Sequence, residues 1–210
     1  MMIDEELMYL ENRAGKSGGG FCTSFPSLER PYIFANFNGT DHDVTVLTHE
    51  AGHAFQGYQS RKQPLNRYLW PTYEACEIHS MSMEFLTWDW MNLFFKEDTD
   101  KFLFKHIAGS LSFLPYGALV DHFQHWVYEN PKATPKERKK QWLELEKIYQ
   151  PGKKYDNLKF LKNGGFWQKQ AHIYEMPFYY IDYTLAQVCA FQFWIRMQED
   201  KESAWADYLE

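Results

Sequence analysis

Residues 44–60, V-T-V-L-T-H-E-A-G-H-A-F-Q-G-Y-Q-S, place two histidines four positions apart, with a glutamate directly after the first. Residues 40–43, just before this stretch, supply cap residues of the types Thr and Asp, so the pattern predicts a helix over about 44–60. Positions i and i+4 share one face of a helix, so His49 and His53 can point at the same ion. Glu50 would then lie beside a water at that ion and would not itself be a ligand. The stretch therefore indicates a possible metal site on a helix.

A pair of histidines one turn apart is not decisive. Taken alone, it is more often an ordinary hydrogen-bonding pair inside a helical core, and the third ligand has to settle the question. Metzincin peptidases have a glycine and a histidine three and six residues after the second motif histidine, but this chain has Gln56 and Gln59 there. The next predicted helix, over about residues 70–96, carries three acids among apolar residues, which are Glu74, Glu77 and Glu84. Buried carboxylates need a partner, and a metal ion would supply one.

The remaining pattern predicts a single, mainly α-helical domain over residues 1–210. Residues 4–11 resemble the end of a helix, and a glycine-rich segment follows. Aromatic and β-branched residues between Gly, Pro and Asn then predict two short strands, consistent with a small antiparallel β element near the N-terminus. Further helices are expected over about 101–129 with a break or kink at Pro115, over 135–149, and from about 177 to 199, followed by a short last helix.

Composition limits the classes of function. A net charge of −6 provides no basic surplus to neutralise phosphates, so a nucleic-acid partner is not expected. Three widely spaced cysteines form no CxxC pair, which favours a reducing, cytoplasmic setting over a disulfide framework. The acidic first residues do not have the pattern of a signal peptide, and no apolar run reaches membrane-spanning length. The sequence thus predicts a soluble protein with a high aromatic content of 19%, which suits a ligand cleft.

Two stretches carry a specific resemblance. HEAGHAFQGYQS, followed by YEACEIHSMSMEFL, resembles the thimet oligopeptidase/oligoendopeptidase F family of zinc peptidases (family M3), and the bacterial oligoendopeptidase branch in particular. The resemblance implies a zincin-like fold with one Zn²⁺ per chain, held by His49, His53 and Glu77. It also implies that Glu84 accepts a hydrogen bond from one of the ligand histidines.

A third stretch near the C-terminus, H-I-Y-E-M-P-F-Y-Y-I-D-Y over residues 172–183, resembles the tyrosine-rich catalytic segment of the same family. Attack on a peptide carbonyl creates an oxyanion that needs a hydrogen-bond donor. The resemblance assigns this role to His172, Tyr180 and Tyr183, while ordinary aromatic packing explains the tyrosines equally well without the metal motif. The other histidines receive structural interpretations: His122 and His125 as hydrogen-bonding groups, and His79 as pointing away from the ligand face.

The family resemblance implies an endopeptidase that cleaves short peptides in a narrow channel, with Glu50 as the general base. Family members are much longer, so the chain is expected to be a fragment, a truncated product or one part of a split enzyme. An exposed channel wall would then be covered by a missing N-terminal half or by a second copy of the chain. The alternative, from a different class, is a catalytically silent zinc-binding module that binds peptides or a partner.

Overall fold

The computed structural model describes residues 1–209 and divides them into two compact units. Unit 1 comprises residues 1–106 together with 186–209, and unit 2 comprises residues 107–185. The expectation of a single catalytic domain over residues 1–210 stays a prediction. Within the described residues, no helix is long and apolar enough to cross a membrane.

Unit 1 begins with a three-stranded sheet in the order β1-β3-β2, formed by Met8–Glu11 (β1), Phe21–Phe25 (β2) and Arg30–Phe37 (β3). β2 and β3 pair antiparallel, which confirms the two predicted strands and their hairpin. β1 pairs parallel to β3, so the sheet is mixed, and the expected helix over residues 4–11 is wrong there. An isolated helix of eight residues has little stability in water, whereas pairing along β3 satisfies the same backbone groups.

The motif helix, α1, spans Asp41–Ser60 and begins three residues earlier than expected. The Asp43 carboxylate explains this start, because its Oδ2 accepts hydrogen bonds from the backbone N–H groups of Asn38, Gly39 and Thr40 at 2.9, 2.6 and 3.1 Å. The capping prediction is therefore confirmed. Satisfying these free N–H groups and placing a carboxylate at the positive end of the helix both stabilise the N-terminus of α1.

The second helix, α2, spans Tyr73–Leu86 and ends ten residues before the predicted end at about Lys96. Thr87 is the C-cap of α2, and both its backbone N–H and its hydroxyl donate to the carbonyl of Met83, the hydroxyl at 2.9 Å. A 3₁₀ turn, Trp88–Trp90, and a single helical turn, Asn92–Phe95 (α3), come next.

Gly52, in the middle of the motif, allows α1 and α2 to approach closely. A Cβ added at Gly52 would lie 2.6 Å from Ser80 Cα and 2.8 Å from the His79 carbonyl oxygen, both of them backbone atoms. We therefore expect Gly52→Ala to lower the free energy of unfolding by about 1–3 kcal/mol, the usual cost of overpacking. Urea unfolding would measure this loss.

The matched control is Gly109→Ala, because a Cβ at Gly109 meets nothing within 4 Å. Alanine there should stabilise the chain by roughly 0.5–1 kcal/mol through helix propensity. Equal effects of the two substitutions would contradict the close approach of α1 and α2.

Helix α4 spans Thr99–Glu129 and contains Pro115, so the chain does not break there, and the kink that was the other expectation stays a prediction. Proline leaves the carbonyl four residues earlier, that of Leu111, without its helical N–H partner. Leu111, the residue that carries this carbonyl, is exposed.

Unit 2 is built around α5, Pro135–Tyr149, which begins with the predicted capping box: Thr134 Oγ1 accepts from the backbone N–H of Glu137, and Glu137 Oε2 accepts from that of Thr134. The core of unit 2 contains seven buried residues, which are Leu119, Val120, Phe123, Trp142, Leu145, Trp167 and Tyr180.

The remaining helices of the two units are Lys159–Lys162 (α6), His172–Glu175 (α7), Tyr180–Glu199 (α8) and Lys201–Leu209 (α9). Further 3₁₀ turns lie at Asn66–Tyr68 and Phe166–Lys169.

Candidate metal centre

Three side chains from α1 and α2 converge in unit 1. Glu77 Oε2 lies 3.1 Å from His49 Nε2 and 3.3 Å from His53 Nε2. These three residues form the one group of His, Cys, Asp or Glu among residues 1–209 whose ligand atoms all lie within 4.8 Å of one another. Two imidazoles and a carboxylate are a usual ligand set of catalytic zinc sites, which keep a further position open. The group can therefore hold a metal ion.

Ser80 fixes the carboxylate of this group. Its hydroxyl donates to Glu77 Oε2 at 2.8 Å, and Ser80 itself is fully buried. The sequence analysis did not identify Ser80, although a serine one helical turn after a predicted ligand is a signal that could have found it. Glu74, the competing candidate for the third ligand, is exposed and lies outside the converging group.

Glu84 contacts the opposite side of the His49 ring. Its Oε1 accepts from His49 Nδ1 at 2.7 Å, which places a proton on Nδ1 and directs Nε2 toward Glu77 and His53. The other carboxylate oxygen accepts from His106 Nε2 at 2.8 Å. His106 was not identified from the sequence, since nothing in its spacing connects it with the motif.

Glu50 is buried, with 6% of its surface exposed, and its Oε2 makes no hydrogen bond with residues 1–209. The last glycine of the glycine-rich segment, Gly20, packs against it, because a Cβ there would come within 3.5 Å of Glu50 Oε1. Burial raises the pKa of Glu50, and the neighbouring His49 and His53 partly oppose that rise. A buried carboxylate oxygen without a partner in the chain is suited to take a proton from a bound water.

The histidines and carboxylates of this group shift one another's pKa values. Burial would lower the pKa of His49, but hydrogen bonds to Glu77 and Glu84 outweigh it and hold that pKa well above its ordinary value. Burial would raise the pKa of Glu77 and of Glu84, but hydrogen bonds to their histidine partners hold the pKa of Glu77 well below its ordinary value and lower that of Glu84. Both carboxylates therefore stay ionised at neutral pH, as a cation site requires.

The other candidate histidines lie outside this group. His79 is half-buried, and burial lowers its pKa. In unit 2, His122 Nδ1 lies 3.0 Å from the Tyr149 hydroxyl, and His125 Nε2 lies 3.4 Å from Asp121 Oδ2. The first contact agrees with the hydrogen-bonding role expected for His122, and the second places His125 within ion-pair distance of Asp121.

The tyrosine-rich segment forms a cluster within unit 2. The Tyr183 hydroxyl lies 3.4 Å from His172 Nε2, and the rings of Tyr180 and Tyr183 are 5.5 Å apart. Tyr180 is buried, and burial raises its pKa to about 12, so its hydroxyl remains a neutral donor. The structure therefore brings together the three residues assigned to oxyanion stabilisation, and their role stays a prediction.

The family model for peptidase family M3 matches residues 1–209. The chain belongs to peptidase family M3. Members of this family are metallopeptidases, so a converging His/His/Glu group on two packed helices is the feature expected of an M3 chain. The resemblance noted from the sequence is thereby confirmed.

Comparisons with individual M3 proteins agree. The chain is 26% identical over 211 residues to the oligoendopeptidase F homologue of Borreliella burgdorferi, covering 95% of this chain and 34% of that protein. The solved structure of PZ peptidase A with an inhibitor matches at 60% identity and a TM-score of 0.96, covering 99% of this chain and 37% of the other. A chain from Bacillus anthracis strain Ames, provisionally described as an oligoendopeptidase F, matches at 54% identity and a TM-score of 0.85, with coverages of 99% and 34%. The chain thus spans about a third of the length of these relatives.

Proposed function

We propose that this chain is the catalytic part of a zinc-dependent endopeptidase that hydrolyses short peptides. The observation that carries the proposal is the convergence of the ligand atoms of His49, His53 and Glu77, with the buried carboxylate of Glu50 next to His49. Zinc suits this set of two nitrogens and one oxygen, and we propose one ion per chain. The Mg²⁺ and Ca²⁺ ions prefer oxygen ligands, which makes them poorer candidates.

Bound zinc would polarise the scissile carbonyl and acidify a water, and the side chains of the chain would move the protons. Glu50 takes a proton from the attacking water through its unpartnered oxygen and returns it to the leaving amine. Glu84 keeps the proton of His49 on Nδ1 and thereby holds Nε2 available for the metal. The buried setting strengthens each of these electrostatic interactions.

The sheet supports the proposed substrate class. β2 is an edge strand, since it lies at one end of the order β1-β3-β2, and its two terminal residues, Phe21 and Phe25, are exposed. An extended peptide can pair with such an edge through its backbone, which gives affinity with little dependence on side chains. We propose that the portion of the relatives outside this match, or a second copy of the chain, supplies the other wall of the peptide channel.

The Tyr183 hydroxyl is proposed as the donor to the oxyanion. Tyr183→Phe keeps the ring and its packing, so we expect kcat to fall about 10²–10³-fold with KM nearly unchanged, the pattern for a donor that acts only in the transition state. Steady-state cleavage kinetics would measure both constants. Tyr180→Phe should give a smaller loss of kcat. Tyr179→Phe, which changes a neighbouring ring in the same cluster, serves as the control. Full kcat in Tyr183→Phe would transfer the role to Tyr180 or His172.

Cleavage of a quenched fluorescent peptide tests the proposal as a whole. The chain should cleave the peptide when loaded with zinc, lose this activity to a chelator and regain it when zinc is returned. Activity that persists without metal would contradict the proposal. A chain that binds one zinc and cleaves nothing, even when the portion of its relatives outside this match is supplied, would support the silent binding module instead.

A further inference from the structure

We propose that His106 is a positioning residue of the metal centre, which holds the Glu84 carboxylate in the orientation that aims His49 at the metal. The inference rests on the proposed function, since it assigns a role in the proposed metal centre. His106 is on α4 and lies far in sequence from the ligand residues on α1 and α2. Its side chain is only 6% exposed.

The first step of the argument is the geometry of Glu84. One carboxylate oxygen, Oε1, accepts from His49 Nδ1 at 2.7 Å, and the other, Oε2, accepts from His106 Nε2 at 2.8 Å. A carboxylate held at both oxygens cannot rotate without breaking one of the two bonds. The bond to His106 therefore sets the plane in which the other oxygen meets His49.

The second step fixes the tautomer of His106. The Trp88 indole Nε1 lies 3.1 Å from His106 Nδ1, and an indole N–H can only donate. His106 Nδ1 therefore accepts, and the proton of the neutral ring is on Nε2, facing Glu84. Trp88 thus donates a hydrogen bond to His106, and His106 donates one to Glu84. His49 donates to the other carboxylate oxygen of Glu84.

The third step excludes His106 as a metal ligand. Both of its ring nitrogens are engaged, Nδ1 with Trp88 and Nε2 with Glu84. Aromatic neighbours hold the ring plane: the Phe85 ring lies 4.8 Å away and the Phe102 ring stacks at 5.8 Å. A ring held in this way can transmit orientation to Glu84 but cannot itself turn toward the metal.

The simpler alternative is that His106 only satisfies a buried carboxylate. In that case its loss would lower stability and leave metal binding unchanged. Zinc affinity therefore separates the two explanations, whereas activity alone does not.

The test compares His106→Asn with His106→Gln. The asparagine amide reaches about as far as Nδ1 and the glutamine amide about as far as Nε2, so both can face Trp88 but only glutamine reaches Glu84. Zinc affinity would be measured by competition with a chromophoric chelator, and melting of the metal-free chains would report stability. We expect the zinc Kd to rise about 10-fold or more for His106→Asn, as is usual when an outer partner of a ligand is lost, and to rise less than about 3-fold for His106→Gln.

Two further variants keep the result interpretable. His106→Phe fills the aromatic pocket and removes the donor, so it should reproduce the weaker zinc binding if His106→Asn fails to fold. His122→Phe removes a histidine that is hydrogen-bonded to Tyr149 in unit 2, and it should leave the zinc Kd unchanged. Equal affinities for folded His106→Asn or His106→Phe and the parent would overturn the inference alone. A parent chain that binds no zinc would overturn both this inference and the proposed function.

Discussion

Glu77→Ala is expected to weaken zinc binding by at least about 100-fold. Glu77 contributes the one carboxylate among the three converging ligand atoms, so its removal leaves two histidines and an incomplete site. The loss of an outer-shell partner alone costs 10–100-fold in affinity, and loss of a direct ligand should exceed that. Chelator competition and elemental analysis of the purified chain would measure the effect.

Glu74→Ala is the matched control for this experiment. Glu74 is on the same helix, three residues earlier, and its side chain is exposed. Its replacement should leave zinc content at one ion per chain. Undiminished zinc in Glu77→Ala, or zinc loss in Glu74→Ala, would assign the third ligand to another residue.

Glu50→Gln is expected to retain zinc and the fold while lowering kcat by about 10²–10⁴-fold, the usual contribution of a general base. Glutamine has the same shape but cannot accept the proton of the attacking water. The side chain is buried and Gly20 packs against it, so an isosteric change should be tolerated better than truncation. Steady-state cleavage of a fluorescent peptide, with zinc content measured on the same sample, would test both halves of the expectation.

Glu74→Gln provides the control, since it makes the same chemical change at an exposed position of α2. It should retain full activity. If Glu50→Gln lost its zinc, Glu50 would be a ligand and the proposed mechanism would be wrong. If it kept full kcat, another group would be the base.

The features that the sequence predicted correctly depend on local patterns. The helix around His49 and His53, its cap residues between Thr40 and Asp43 and the capping box at Thr134 each follow from residues within one or two turns. The convergence of Glu77 on the histidines required the family resemblance, because Glu74, Glu77 and Glu84 were equally open from spacing alone. Burial separates these acids, since Glu74 is exposed while Glu77 and Glu84 are buried.

The features that the sequence missed depend on long-range contacts. β1 is a strand because β3 offers it a free edge, and no pattern within residues 4–11 shows that edge. Helix α4 continues through Pro115, where the local pattern predicted a break or a kink. His106 meets Glu84 across 22 residues of chain, and that contact exists only once α2 and α4 are in place.

Anomalous diffraction at the zinc absorption edge, from crystals of the zinc-loaded chain, tests the central claim most directly. The account predicts one peak per chain, within about 2.0–2.2 Å of His49 Nε2, His53 Nε2 and a Glu77 carboxylate oxygen. A peak bonded to other residues, or no peak at these three in crystals of a chain that retains zinc, would contradict it.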